Sequence, residues 1–207
     1  MAEISADSRA DGKRASTKAA NRRAILTAAR RVFALIGYEA TTVRDIIRET
    51  ELASGTFYNY FKSKEEVFQA IAEDSTQRFR AHLSEVRERA SSLEDYIEGG
   101  FRAYFSFIAR ENEEAIRAGA PHLALMGVRV DTPEMLAVAD EIRADLERTL
   151  SKDVAVGLDL EYLTAAAIGI AREMGDRMLQ RRPIDVEGTT KFASGLILAG
   201  ARAMAGK

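Results

Sequence analysis

The apolar residues of this 207-residue chain recur at the spacing of a helix and nowhere at the spacing of a strand. Ile25, Ala29, Val32, Phe33 and Ile36 share one helical face, and Phe101, Tyr104, Phe105 and Ile108 form an i, i+3, i+4, i+7 stripe. No segment alternates apolar and polar residues between turn signals. The three prolines, Pro121, Pro133 and Pro183, fall where long helical patterns stop or start. The expected fold is all-α, with about nine helices.

Local signals place most helix ends. A polar stretch, residues 1–17, reads as a disordered tail. A first helix follows from about Lys18 to Ile36, closed by Gly37. Thr42 and Asp45 have capping-box spacing at the start of a short second helix that ends near Thr50. After the tight connection ELAS, Ser54 is placed to cap a third helix of about two turns. A fourth is expected from about Lys64 to Ala90. Ser92, Thr132 with Pro133, Asp159 and Asp185 each open a later helix. In 111–131 a broken or kinked helix is expected, interrupted at Gly119-Ala120-Pro121. The division this suggests is a tail (1–17), a head (18–64) and a larger helical domain (65–207).

The head holds the densest aromatic cluster, SGTFYNYF from Ser54 to Phe61, in a chain only 7% aromatic. At about 100° per residue, Phe57 and Phe61 fall together as a buried anchor. Gly55, Thr56 and Asn59 lie on the opposite side, with Tyr58 and Tyr60 roughly 80° to either flank of the anchor. A DNA major groove, about 12 Å wide, admits one helix between two walls of phosphate. The two phenols are spaced to meet those walls, and Lys62 and Lys64 add charge beside them. The strip then faces base edges: Gly55 permits close approach, Asn59 can pair with adenine, and Thr56 can touch a thymine methyl. The preceding helix would cross the backbone with Thr42 and Arg44 near phosphate, and Ser54 belongs to the same surface.

Charge is divided in the same way. Residues 1–64 carry 12 Lys and Arg against 7 Asp and Glu, whereas residues 65–207 carry 18 against 25. A basic front on an acidic body points the front at a polyanion. The chain has no cysteine, only His82 and His122, and no HExxH, GxSxG or P-loop sequence, so enzymatic chemistry, a bound cofactor and a metal site are not expected. The polar N-terminus and the lack of any apolar run near 20 residues argue against a secretory signal and a membrane span, and fit a cytoplasmic protein.

The stretch AILTAARRVFALIGYEATTVRDI followed by SGTFYNYFKSKEEVF, within residues 22–68, resembles the helix-turn-helix domain of the TetR family of transcriptional regulators. The resemblance implies a homodimer that binds a palindromic double-stranded DNA operator, usually as a repressor, and leaves it when a small-molecule effector binds the larger domain. It also implies that Thr42 and Arg44 touch phosphate, that Thr56 and Asn59 read bases, and that Tyr58, Tyr60 and Lys64 hold the DNA backbone. Glu51 and Ile47 stand where the family commonly has glycine and alanine. An activator, or a regulator without a ligand, remains an alternative of the same fold, and a helical protein-binding adaptor is a different one.

In the larger domain the family places an effector cavity among the fifth to eighth helices. Phe101, Tyr104, Phe105, Ile108, His122, Met126 and Tyr162 are therefore candidate walls, with plain core packing as the other reading, and Arg172 is a candidate polar contact. The last two helices carry stripes of small and apolar residues: Leu163, Ala166, Ala167, Ile170 and Met174 on one, Phe192, Gly195, Leu196, Ala199 and Ala203 on the other. The resemblance implies that these two helices pair with their copies across a dimer interface. Arg172 with Asp176, and Glu173 with Arg177, have the i, i+4 spacing of helical ion pairs.

Overall fold

The computed structural model describes residues 4–120, 132–150 and 158–205, with side chains from Arg14 to Met204 within those ranges. The described chain is all helix, with no strand: α1 Ile4–Ile36, α2 Val43–Glu49, α3 Ser54–Tyr58, α4 Lys64–Arg89, α5 Leu93–Glu111, α6 Glu113–Arg117, α7 Pro133–Thr149, α8 Leu160–Gln180 and α9 Val186–Ala205. It divides into two compact units, Met1–Ile71 and Ala72–Lys207, so the division falls inside α4, beyond the expected 64/65 boundary. Among the described residues no helix is long and apolar enough to cross a membrane.

Several helix starts follow the sequence signals. Thr42 closes the capping box on α2: its hydroxyl accepts from the Asp45 N–H, and its own N–H donates to Asp45 Oδ2 at 2.9 Å. Ser92 caps α5, Thr132 caps α7 with Pro133 in the first turn, and Asp159 accepts from the N–H groups of Glu161 and Tyr162. Other boundaries differ. The expected tail is helical from Ile4; Ser5–Thr17 contains no proline to break it, and its alanine, arginine and lysine residues favour helix. Its described part, Arg14–Ala20, is exposed throughout and so lacks the apolar periodicity used to place helices. Ser54 does not cap α3: Ala53 occupies the cap position without a side-chain bond, and Ser54 is the first helical residue. Regular α3 is five residues long, and the turn continues through Tyr60 N–H and Phe61 N–H donating to Phe57 O. The break after α5 falls at Asn112, and Gly119, in the left-handed region at φ 67°, follows α6.

In the first unit the core gathers Ile25, Ala29, Val32 and Phe33 of α1, Ile46 of α2, Phe57 and Phe61, and Val67 and Phe68 of α4, all buried. Ile36, assigned to the inner face by periodicity, is exposed, since the last residue of the helix lies beyond the packed turns. In the second unit α5 is the central helix, packed against α8 and α9. Two glycines mark close approaches there. A Cβ on Gly99 would lie 3.0 Å from Val86 Cγ1, and one on Gly175 would lie 2.6 Å from Ile108 Cδ1 and 3.2 Å from the Tyr104 ring. Phe101, Phe105 and Ile108 are buried in this core.

Candidate nucleic-acid interface

The surface built by α2, α3 and the start of α4 begins with two turns. Gly37 adopts φ 80°, which ends α1, and its N–H donates to Phe33 O at 2.9 Å. The buried Thr41 hydroxyl donates to Gly37 O at 2.7 Å and holds the chain as it enters α2. At the other end of α2, Thr50 donates through both its N–H and its hydroxyl to Ile47 O, and its Oγ1 accepts from the Leu52 N–H. Arg31 of α1 pairs with Glu49 at 2.8 Å. The arrangement defines where α3 starts. Thr50 as organiser of the turn was not anticipated, although a threonine two residues before a loop position is a recognised turn-former.

Phe57 and Phe61 are buried and anchor α3 as the spacing predicts. Ser54, Gly55 and Asn59 are exposed, Thr56 and Tyr60 are half-buried, and Tyr58 is 57% exposed. The strip and its phenol flank therefore lie at the surface of the unit. No Cβ built on Gly55 meets any atom within 4 Å, so the space in front of it is open. Arg22 lies over the Phe61 ring, 5.5 Å from its centroid. Arg44 is exposed, as is Lys62, whose backbone N–H donates to Glu66 Oε2 at 2.8 Å. The exposed Glu51 lies away from the buried core. The Asp45 carboxyl is held below the usual carboxylate range by its bonds from Thr42, with Arg48 and Arg44 adding to the effect.

Lys64 is placed differently from its neighbour. Its Nζ donates to Tyr38 O at 3.0 Å and Glu39 O at 3.1 Å, and sits 4.7 Å from the Tyr38 ring centroid. Tyr38 packs edge-on to Phe68, 4.9 Å between centroids, and against Phe33 at 5.4 Å. Burial, then the charge of Glu65, pushes the Tyr38 hydroxyl above its ordinary value.

In the second unit the expected effector residues separate. Phe101, Phe105 and Ile108 are core, while Tyr162 is 75% exposed on α8 and lines no interior wall. His122 and Met126 lie outside the described residues. Tyr104 and the half-buried Arg172 do come together, around Asp176: the charge of Arg172 acts on the Asp176 carboxyl, and the charges of Asp176 and Arg172 both act on the Tyr104 hydroxyl. The expected Arg172–Asp176 ion pair does not form, and Asp176 Oδ1 is buried without a hydrogen-bond partner. Burial first, then the charge of Glu173, push its carboxyl up to about 6, with Arg172 opposing. Glu173 and Arg177 do pair, at 2.8 Å on the surface. A separate open groove of about 530 Å³ runs between α4 and α5, lined among others by His82, Val86, Gly99 and Phe107.

The expected dimer residues also divide. Phe192 (65% exposed), Gly195, Leu196 (53% exposed), Ala199 and Ala203 all face outward on α9, as does Ala166 on α8. Ala167, Ile170 and Met174 are half-buried. Leu163 turns inward and packs against Leu150, Leu158 and Ala201. The outward face of α8 instead runs through Tyr162, Ala165, Ala166 and Gly169. Spacing alone misplaced this stripe by about one position.

Fold and surface together define an all-α protein whose N-terminal unit is a helix-turn-helix head. Residues 25–71 match the family described as bacterial regulatory proteins, tetR family. Over 148 residues the chain is 30% identical to the HTH-type transcriptional regulator TcmR of Streptomyces glaucescens, covering 70% of this chain and 65% of that one. Over 101 residues it is 31% identical to the HTH-type transcriptional repressor KstR2 of Mycolicibacterium smegmatis, covering 49% of each. The matched stretches thus span less than two thirds of these relatives' own length. The structure of the regulator FadR from Bacillus subtilis in complex with stearoyl-CoA has the same fold, with a TM-score of 0.66 at 19% identity, covering 86% of this chain and 98% of that one. The chain thus carries, over residues 25–71, the helix-turn-helix head of the TetR family of bacterial regulatory proteins.

Proposed function

We propose that the chain is a transcriptional repressor that binds a palindromic operator as a homodimer and is released by a small-molecule effector. The observation that carries the DNA-binding reading is the α3 surface: an exposed strip of Gly55, Thr56 and Asn59 beside the exposed Tyr58, on a buried Phe57–Phe61 anchor. Such a helix fits a major groove, with Tyr58, Tyr60, Lys62 and Arg44 on the phosphate walls. Repression is supported by relatives such as KstR2. The homodimer is supported by the outward apolar face of α8 and α9, which a second copy of the chain would cover. Release by an effector is supported by α4, one continuous helix that begins at Lys64 beside the candidate DNA surface and continues into the second unit. FadR with bound stearoyl-CoA is a protein of this fold that holds a small molecule. An effector acts only if it binds the DNA-incompetent state more tightly. The reading places the protein in the cytoplasm.

Binding to DNA upstream of the protein's own gene, compared at about 50 and 200 mM salt, tests the reading. A dimer with 6–10 phosphate contacts should lose ~10³–10⁵ in affinity between them, and Tyr60→Ala should weaken it further. A protein that prefers no duplex, either there or in a selection from random DNA, would refute it.

A further inference from the structure

We propose that Lys64 is a positioning residue: its ammonium fixes the turn that aims α2, and it does not hold a phosphate. The proposal rests on the DNA-binding reading above. The ammonium has three N–H donors. Two are used on consecutive carbonyls, Tyr38 O and Glu39 O, and the group also lies against the Tyr38 ring. That ring is itself fixed between Phe33 and Phe68, which belong to α1 and α4. The Tyr38 hydroxyl reaches Glu65, the next residue of α4, at 3.4 Å. The first turn of α4 therefore grips the α1–α2 connection from two sides.

What this grip controls lies immediately downstream. Tyr38 O also accepts from the Thr41 N–H at 3.2 Å, and Thr42 is the cap of α2. Thr42 and Arg44 are the residues that the α2 end presents to a backbone phosphate. One N–H remains, but a phosphate that took it would have to approach an ammonium already held by two carbonyls and an aromatic face, and could not draw it out without losing these contacts, each favourable for a partly desolvated cation. Lys62, two residues earlier, has no such obligation: it is exposed, and among the described residues its ammonium has no partner. The two lysines of the KSK segment thus divide the work, one for charge and one for geometry.

The salt dependence of DNA binding separates the roles, because each neutralised phosphate adds about 0.9 to the slope of log K against log salt. Binding to a duplex selected from random DNA is measured for the full chain, at a temperature where circular dichroism shows each variant folded. Lys62→Gln should lower the slope by about 0.9 for each phosphate that the side chain had neutralised. Lys64→Gln should leave the slope unchanged while lowering affinity by roughly tenfold, the scale of one charged hydrogen bond or cation–π interaction removed. Tyr38→Leu removes the ring of the seat but leaves both backbone carbonyls, and it should lower affinity by part of that drop. The double variant should be little worse than Lys64→Gln alone, since the ring contact is already lost with the ammonium.

A slope reduced by Lys64→Gln, with a drop in affinity that adds to that of Tyr38→Leu, overturns the proposal. If Lys64→Gln does not fold, Tyr38→Leu decides alone: undiminished affinity overturns it. If the wild-type chain prefers no duplex, the DNA reading fails separately. Amide hydrogen exchange then tests the grip itself, which requires faster exchange at Thr41–Ile46 in Lys64→Gln and none in Lys62→Gln.

Discussion

Arg87 of α4 donates through Nε to both carboxylate oxygens of Asp145 of α7, at 2.8 Å each. Asp145 is 3% exposed, and the Tyr96 hydroxyl of α5 donates to its Oδ2 at 2.9 Å. Arg148 pairs with its Oδ1 at 3.1 Å, and Arg87 also reaches Glu141, which Arg80 contacts as well. Three helices of the second unit thus meet on one buried carboxylate. A buried charge is tolerated when its lone pairs are filled, and here they are.

Removing Asp145 strands the groups around it. Asp145→Ala should destabilise the protein by about 3 kcal/mol or more, the scale of a broken buried pair. Asp145→Asn retains an acceptor for Tyr96 and should lose less. Urea denaturation of both variants measures the difference.

Two glycines in the same unit should respond in opposite directions to alanine. Helix propensity favours alanine by about 1 kcal/mol at both. At Gly100 nothing lies within 4 Å of the new Cβ, so Gly100→Ala should stabilise by roughly that amount. At Gly175 the Cβ would lie 2.6 Å from Ile108 Cδ1 and close to the Tyr104 ring, both held in a packed core. Overpacking of this kind costs about 1–3 kcal/mol, so Gly175→Ala should be net destabilising. Thermal unfolding of the pair checks the sign.

Asp176 makes stability depend on pH. Its carboxyl, raised by burial and by Glu173 to about 6, lies above its ordinary value of 3.8. Above pH 6 the protein holds an ionised group that its surroundings disfavour. The penalty is relieved as pH falls from about 6 to about 4, where the folded state binds the proton first. Asp176→Asn should therefore be more stable than the wild type at pH 7.5, and this advantage should shrink toward pH 4. Charge from Glu173 and Arg172 acts on the same group, and the Tyr104 hydroxyl beside it feels the charge of Asp176, so the comparison is of wild type and variant at each pH. An advantage that does not change with pH would contradict the assignment.

The outward face of α9 sets the expected oligomer. Phe192 and Leu196 are one helical turn apart and both more than half exposed. Phe192→Glu with Leu196→Glu places two like charges on each copy where apolar surfaces are proposed to meet. The variant should elute as a folded monomer in light-scattering chromatography, and the wild type should elute as a dimer. A dimer that survives both changes would move the interface elsewhere.

The sequence by itself determined the helical class, because an apolar period near 3.6 needs no partner to be read. It also determined the caps at Thr42, Ser92, Thr132 and Asp159, since a capping side chain bonds to backbone only two or three residues away. The Phe57–Phe61 anchor was legible for the same reason: both rings lie on one short helix. The seat of Lys64 was not, because its carbonyl partners lie 25 and 26 positions back along the chain. Nor was the pairing of Arg87 with Asp145, 58 positions apart. Spacing put Leu163 on the outer stripe and Arg172 beside Asp176; in the structure Leu163 packs inward against Leu150, and Asp176 Oδ1 is buried without a partner. An i, i+4 relationship establishes that two side chains share a strip of helix. Which of them is drawn to a neighbour, buried or left in water depends on the helix packed opposite, and only the tertiary structure decides that.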